Sequence, residues 1–263
     1  MKKDIHNNLI KFGSLHIENL RVLDISGDLV QVENFLKGQV TSDHEKMTEG
    51  AYQLSSICNH KGQVIADFII CKEKDSYKFV VDESLQDILI DELTPFAKFN
   101  AIDFIKLSNI VIGTVSPTGE LVSPYCSNDY FQLNISIEES NFEYINSIND
   151  DIWQAANKIL GNLFLNAGDV GNFRPLEINY DNLRVSFEKG CYRGQEIVAR
   201  MKYLGVDRRK FCTFLTIDLF IITKDIKVIG KIITLGDKKV FNAIIKKSLF
   251  EEIEKKDGII KII

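Results

Sequence analysis

The stretch from Tyr52 to Val81 limits what this chain can fold into more than any other. Tyr52-Gln53-Leu54-Ser55-Ser56-Ile57-Cys58 and Val64-Ile65-Ala66-Asp67-Phe68-Ile69-Ile70-Cys71 are runs of strand-forming residues. Asn59-His60-Lys61-Gly62 between them has the chemistry of a tight turn. Tyr77-Lys78-Phe79-Val80-Val81 follows a polar Lys74-Asp75-Ser76 turn. Three strands joined by such short turns pair antiparallel, because a parallel pair needs a crossover of a dozen residues or more.

The flanks add helices. Leu20-Arg21-Val22-Leu23-Asp24-Ile25 alternates as a half-buried strand does, and Ser26-Gly27-Asp28 breaks it. Val32, Phe35 and Leu36 then fall on one side of a helix that Gly38 is expected to end. Ser84 to Phe96 carries Leu85, Ile88, Leu89 and Leu93 on one helical face. Ile102–Leu107, Ile110–Val115 and Tyr130–Ile137 read as strands within a loop-rich stretch that runs to residue 150. Asp150 to Gly161 reads as a helix with acids at its start and glycine at its end. Phe211–Ile217, Lys227–Thr234 and Lys239–Ile245 make a strand-rich end, with Gly236-Asp237 as a turn. The pattern is α+β, not a doubly wound parallel sheet. Val206 to Lys210 is the expected boundary before a small all-β module.

Composition excludes several classes. The 263 residues, 45% hydrophobic and 26% charged, can bury a substantial core and are not disordered. A net charge of -5 argues against a wholly basic nucleic-acid binder but leaves room for a local patch. No stretch approaches the roughly 18 consecutive apolar residues of a membrane helix. Met1-Lys2-Lys3 has no apolar run behind it, so no secretory leader is expected. The five cysteines are odd in number and far apart, without zinc-ligand spacing. They fit a reduced, cytoplasmic protein. His6, His16, His44 and His60 are scattered, so no metal is assigned.

Lys189-Gly190-Cys191-Tyr192-Arg193-Gly194-Gln195-Glu196-Ile197-Val198-Ala199-Arg200 carries chemistry. Its two glycines allow unusual backbone angles and close approach of a ligand. A thiol between Lys189 and Arg193, near the start of a short helix from Ile197 to Lys202, would have its thiolate stabilised. The competing reading of Cys191 is a small buried hydrophobe.

This segment resembles the K-G-C-Y-x-G-Q-E signature of the YgfZ-type folate-binding proteins, relatives of the glycine-cleavage aminomethyltransferase. Ser186-Phe187-Glu188 before it and Ile197 to Gly205 after it agree. Pro175-Leu176-Glu177-Ile178-Asn179 resembles the family's preceding segment. Phe35-Leu36-Lys37-Gly38-Gln39-Val40-Thr41-Ser42-Asp43 resembles its F-L-x-G-Q-V-T-x-D, and Asn59 to Val64 fits its lysine-glycine turn. Gly230-Lys231-Ile232-Ile233 matches more weakly.

The resemblance implies an α+β fold with aminomethyltransferase-like domains in a ring. Residues 1–207 would be the folate-binding region, of two subdomains, and 208–263 a small C-terminal β-barrel. It implies a tetrahydrofolate ligand and iron–sulfur client or assembly proteins as partners. The protein would be an accessory factor for iron–sulfur enzyme maintenance with an indirect effect on tRNA modification, and without direct nucleic-acid or membrane contact. A folate-dependent aminomethyl transferase is the alternative.

Residue by residue, Cys191 would be the functional thiol at the mouth of the folate cavity. Gln195 and Glu196 would pair with the pterin edge, or cap the following helix. Tyr192 belongs to the same folate-binding set. Lys189 and Arg200 would hold the glutamate tail, or be solvated surface charges. Trp153 opens Trp153-x-x-x-Asn157-x-x-x-Gly161, resembling the family's tryptophan-headed helix, and would stack on the ligand; a core position is the alternative. At the first strand, where some members carry another aromatic, this chain has Leu20. Gly62-Gln63-Val64-Ile65-Ala66-Asp67 keeps one acid where the transferase resembles G-G-V-I-D-D. That loss argues against the proton-transfer step and leaves Asp67 as a ligand contact or a strand-edge acid. Arg208-Arg209-Lys210 reads as a solvated turn.

Overall fold

The computed structural model describes residues 9–120, 124–205 and 208–263. The leader reading over Met1–Asn8, His6, and the Val206–Asp207 part of the expected boundary lie outside the described residues.

Thirteen strands are described, and all their ladders are antiparallel. The first sheet holds β2 (Leu20–Ser26), β3 (Tyr52–Cys58), β4 (Val64–Lys72), β5 (Tyr77–Asp82) and β6 (Asp103–Leu107), in the order β3-β4-β5-β2-β6. The second joins β1 (Gly13–His16), β7 (Ile110–Pro117), β9 (Phe131–Glu138) and β8 (Cys126–Ser127), in that order. The third takes β10 (Arg209–Ile217), β11 (Lys227–Leu235), β12 (Lys238–Lys246) and β13 (Ile259–Ile262), ordered β11-β12-β10-β13. The strands read from the sequence are present within a residue or two. β1, β8 and β13 are additional and short: β1 and β13 are defined by pairing with strands distant in the chain, and β8 pairs with the adjoining β9.

β2 is buried on both faces, not one. Leu23 and Ile25 join the core under α1 (Leu29–Gln39) and α2 (Glu83–Ala97), while Leu20 and Val22 face the second sheet. Three of the longer helices start on a side-chain cap. Asp28 accepts from the Gln31 N–H, Asp82 from Ser84, and Asn149 from Ile152 at the head of α3 (Asp150–Ile159). α1 runs past Gly38 to Gln39 because Gly38 is simply its penultimate turn residue; Val40, in extended backbone, closes it. α2 buries Leu85, Leu89, Leu93 and Ala97, a four-residue stripe against the first sheet.

In the C-terminal sheet β10 and β12 are buried on both faces along their middles. Cys212 and Phe214 of β10 join Phe241 and Ala243 in a core of their own. Leu215 and Val240 pack into the second core beside α3. The carbonyl of Lys158 in α3 accepts from the Thr213 hydroxyl at 2.6 Å, tying helix to sheet.

Candidate functional site

Three sequence segments meet at one place. The turn 189–194 lies over the end of α1: the Arg193 N–H donates to the Gly38 carbonyl at 3.1 Å, and the Lys189 ammonium donates to the Val40 carbonyl at 2.6 Å. On its other side the turn abuts the β3–β4 hairpin. Gly194 has φ +86°, and a Cβ there would fall 2.4 Å from the Asn59 carbonyl oxygen. Gly62 of the hairpin has φ +69° and would press a Cβ to 3.0 Å from Ile197. Backbone meets backbone at this junction, which only glycine permits. Gly194 then caps α4 (Gln195–Leu204), a helix two residues longer at each end than the sequence suggests.

Cys191 stands on this junction and is the only exposed cysteine among the described residues. The other four are buried, and burial pushes the Cys58 thiol up to about 12 and those of Cys71, Cys126 and Cys212 up to about 11. The flanking cations do not turn toward Cys191 as the sequence suggests. Lys189 points inward, and the Arg193 guanidinium binds Glu92 at 3.0 Å over the Phe96 ring.

Beneath the turn lie buried polar groups without partners. Lys189 is 8% exposed, so it is neither a surface charge nor free to hold a ligand tail; desolvation lowers its ammonium to about 8. Its Nζ sits 5.4 Å from the Tyr192 ring centroid. The Tyr192 hydroxyl, both ring nitrogens of His44 and the Gln39 amide oxygen are buried with no hydrogen-bond partner among the described residues. Burial and the nearby Lys189 charge lower the His44 pKa, and its ring meets Tyr77 edge-on at 5.9 Å. Sequence reasoning missed His44 and Gln39; the signal was their place in and beside the Phe35–Asp43 motif, which has no role until the turn packs on it.

Gln195 and Glu196 form the first turn of α4. Glu196 is exposed and pairs with Arg200 at 3.4 Å. No side chain caps this helix, since Gly194 holds the cap position. The capping alternative for Gln195 and Glu196 therefore falls; Glu196 is exposed and Gln195 half-buried.

Trp153 and Asp67 are elsewhere. Trp153 is 2% exposed in the second core. Its ring sits where a Cβ on Gly113 would come within 2.9 Å, and Tyr125 meets it edge-on. No ring face is left for a ligand, which corrects the stacking expectation. Asp67 lies in the middle of β4, opposite Ser56, not at a strand edge. It accepts from the Leu165 N–H at 3.0 Å and ion-pairs with Arg184 at 3.1 Å. Arg184 is wholly buried, donates to Ser55, Phe68, Asn162 and Leu163, and lies between the rings of Phe164 and Tyr180. Burial raises the Asp67 carboxyl against the lowering effect of that guanidinium. A carboxylate so enclosed is not a ligand contact.

No family model matches the chain. An uncharacterised protein of Haemophilus influenzae is 27% identical over 206 residues, covering 76% of this chain and 72% of that protein. The tRNA-modifying protein YgfZ of Klebsiella pneumoniae is 24% identical over 214 residues, covering 69% of this chain and 65% of its own length. The crystal structure of glycine cleavage system aminomethyltransferase T from Bartonella henselae superposes with a TM-score of 0.64 at 14% identity, over 93% of this chain and 89% of that one. The resemblance to YgfZ-type proteins is borne out, and the mixed fold with antiparallel sheets is similar to that of aminomethyltransferase T. No described helix is long and apolar enough to cross a membrane.

Proposed function

We propose that this chain binds a reduced folate beside the Cys191 turn and serves iron–sulfur enzymes as an accessory protein. Its effect on tRNA modification would be indirect. The observation that carries the reading is the exposed thiol of Cys191, fixed on a glycine junction of three segments over buried polar groups that lack partners. Groups of that kind suit a heterocycle edge with donors and acceptors. Glu196 and Gln195 pair with the pterin edge, Arg200 takes a carboxylate of the tail, and Tyr192 forms the floor. The ring of folate-binding domains over 1–207, the small barrel over 208–263 and a cytoplasmic location belong to the same reading. The relative named as a tRNA-modifying protein supports it.

Aminomethyl transfer is the second reading, favoured by the fold likeness. Against it, the one acid of the matching strand is locked to Arg184. Calorimetric titration with tetrahydrofolate tests the first reading. Saturable binding that Glu196→Gln and Arg200→Met weaken at least tenfold is expected, by about 1.4 kcal/mol per decade. Absence of heat removes the folate claim. Incubation with an aminomethylated lipoyl carrier and tetrahydrofolate should yield no methylene-tetrahydrofolate; catalytic yield would establish the second reading instead.

A further inference from the structure

The far end of α4 leads to a different kind of surface. A groove of about 470 Å³ is lined by Leu176, Met201, Lys202, Arg208 and Arg209, with Glu177 and Asp181 at its wall. The sheet register adds to it. Arg209, first residue of β10, is the direct cross-strand partner of Lys246, last residue of β12. Like charges placed opposite each other in a ladder repel and destabilise the pairing. The chain carries more acids than bases, yet the two acids here are already engaged. Glu177 accepts from the Arg174 N–H at 2.9 Å and lies 3.9 Å from Arg209, and Asp181 binds Lys202 at 2.8 Å. Arg208 and Lys246 are exposed, and no ion pair of theirs is present among the described residues. Tyr203, 69% exposed, follows Lys202 on α4 outside the groove's lining, with its ring edge-on to Phe187 at 6.0 Å. In the sequence, Arg208-Arg209-Lys210 is a short basic turn; in the fold Arg208 and Arg209 form one wall of a groove whose lining holds three bases and two acids.

We infer that this groove binds single-stranded RNA. Lys202, Arg208, Arg209 and Lys246 take successive phosphates, Lys202 and Arg209 by exchanging Asp181 and Glu177 for phosphate oxygens, and the Tyr203 ring stacks on a base, the combination used for single strands. The concave shape and the exposed aromatic ring fit a strand better than a flat membrane surface. The two wall acids, awkward for a phosphate, are acceptors for ribose 2′-hydroxyls, which distinguish RNA from DNA. The site shares no residue with the folate reading and goes beyond it.

The test is fluorescence anisotropy of a labelled oligouridylate of about 12 nucleotides with the full chain. Four phosphate contacts on a single strand predict an affinity loss of roughly 50-fold between about 50 and about 200 mM salt. Arg209→Glu with Lys246→Glu should weaken binding more than tenfold and flatten that salt dependence; Tyr203→Ala should weaken it at least fivefold with the salt dependence kept. Arg209→Gln, which removes one like charge, serves if the double variant fails to fold. Equal affinity for oligodeoxyuridylate overturns the assignment to RNA. Absent binding, binding unchanged in the charge variants, or binding only to phosphatidylserine vesicles overturns the inference. Tetrahydrofolate binding by the same variants should equal that of the parent chain, so the two readings fail separately.

Discussion

Two buried polar clusters in this molecule are built in opposite ways. Around Arg184 the chain supplies carbonyls of Ser55, Phe68 and Leu163, the Asn162 amide oxygen, the Asp67 carboxylate and two aromatic faces. Under the Cys191 turn, Gln39, His44 and Tyr192 keep polar atoms without partners, and Lys189 has one carbonyl. Both clusters contain residues that the sequence marks for a folate site. The difference teaches that burial of a polar group does not identify a site. What separates the two is degree: around Arg184 the fold supplies most of the partners and leaves Arg184 Nε and Asp67 Oδ2 without a hydrogen bond, whereas under the turn both His44 ring nitrogens, the Gln39 amide oxygen and the Tyr192 hydroxyl have none among the described residues.

The comparison breaks most readily at Arg184. Arg184→Met should cost about 3–5 kcal/mol, because it strands the Asp67 charge in the interior; urea denaturation measures it. Adding Asp67→Leu should recover much of that loss, and failure to do so would mean the pair is not the source of the cost. Trp153→Phe comes next, at about 1–3 kcal/mol for a cavity in the second core, with tetrahydrofolate affinity unchanged in calorimetry. An affinity loss without a stability loss would return Trp153 to the ligand.

The unsatisfied cluster is tested by pH. His44, facing Lys189, Tyr77, Glu33 and Glu45, has its pKa held below the ordinary 6.5. The unfolded chain therefore binds a proton first as the medium acidifies. Stability from this group is fully present above 6.5 and declines below it. The thermal midpoint should fall over that range, and His44→Gln should reduce the fall. Lys189, lowered to about 8, has the same sense at higher pH: between about 8 and the ordinary 10.5 the unfolded chain binds more protons, so stability rises with pH there, and Lys189→Met should remove that rise. The smallest effect is expected at Cys191. Cys191→Ala should change stability by less than about 0.5 kcal/mol, as an exposed position does, while abolishing rescue of iron–sulfur enzyme activity in cells lacking the gene. A large stability loss would make the thiol a packing residue after all.

The strands, the three capped helices and the exposed glycine turn were legible because their signals are local. Alternation, a side-chain cap and an αL glycine are each written within a few neighbours. The short strands β1 and β13 carry no such signal and exist through distant partners. The turn's signature also pointed to a site; of its residues Cys191, Glu196 and Arg200 are exposed, and Glu196 pairs with Arg200.

By itself, then, the sequence determined an antiparallel α+β fold and the chemistry of the turn at 189–194. Only tertiary structure decided which polar residues that chemistry can use. It buried Lys189 and Trp153, set Arg184 beside Phe68 across 116 residues of chain where it also meets Asp67, and laid Arg209 against Lys246. The physical reason is that a side chain's partners, and so its charge and its freedom, come from segments brought together by packing, and no local pattern encodes them.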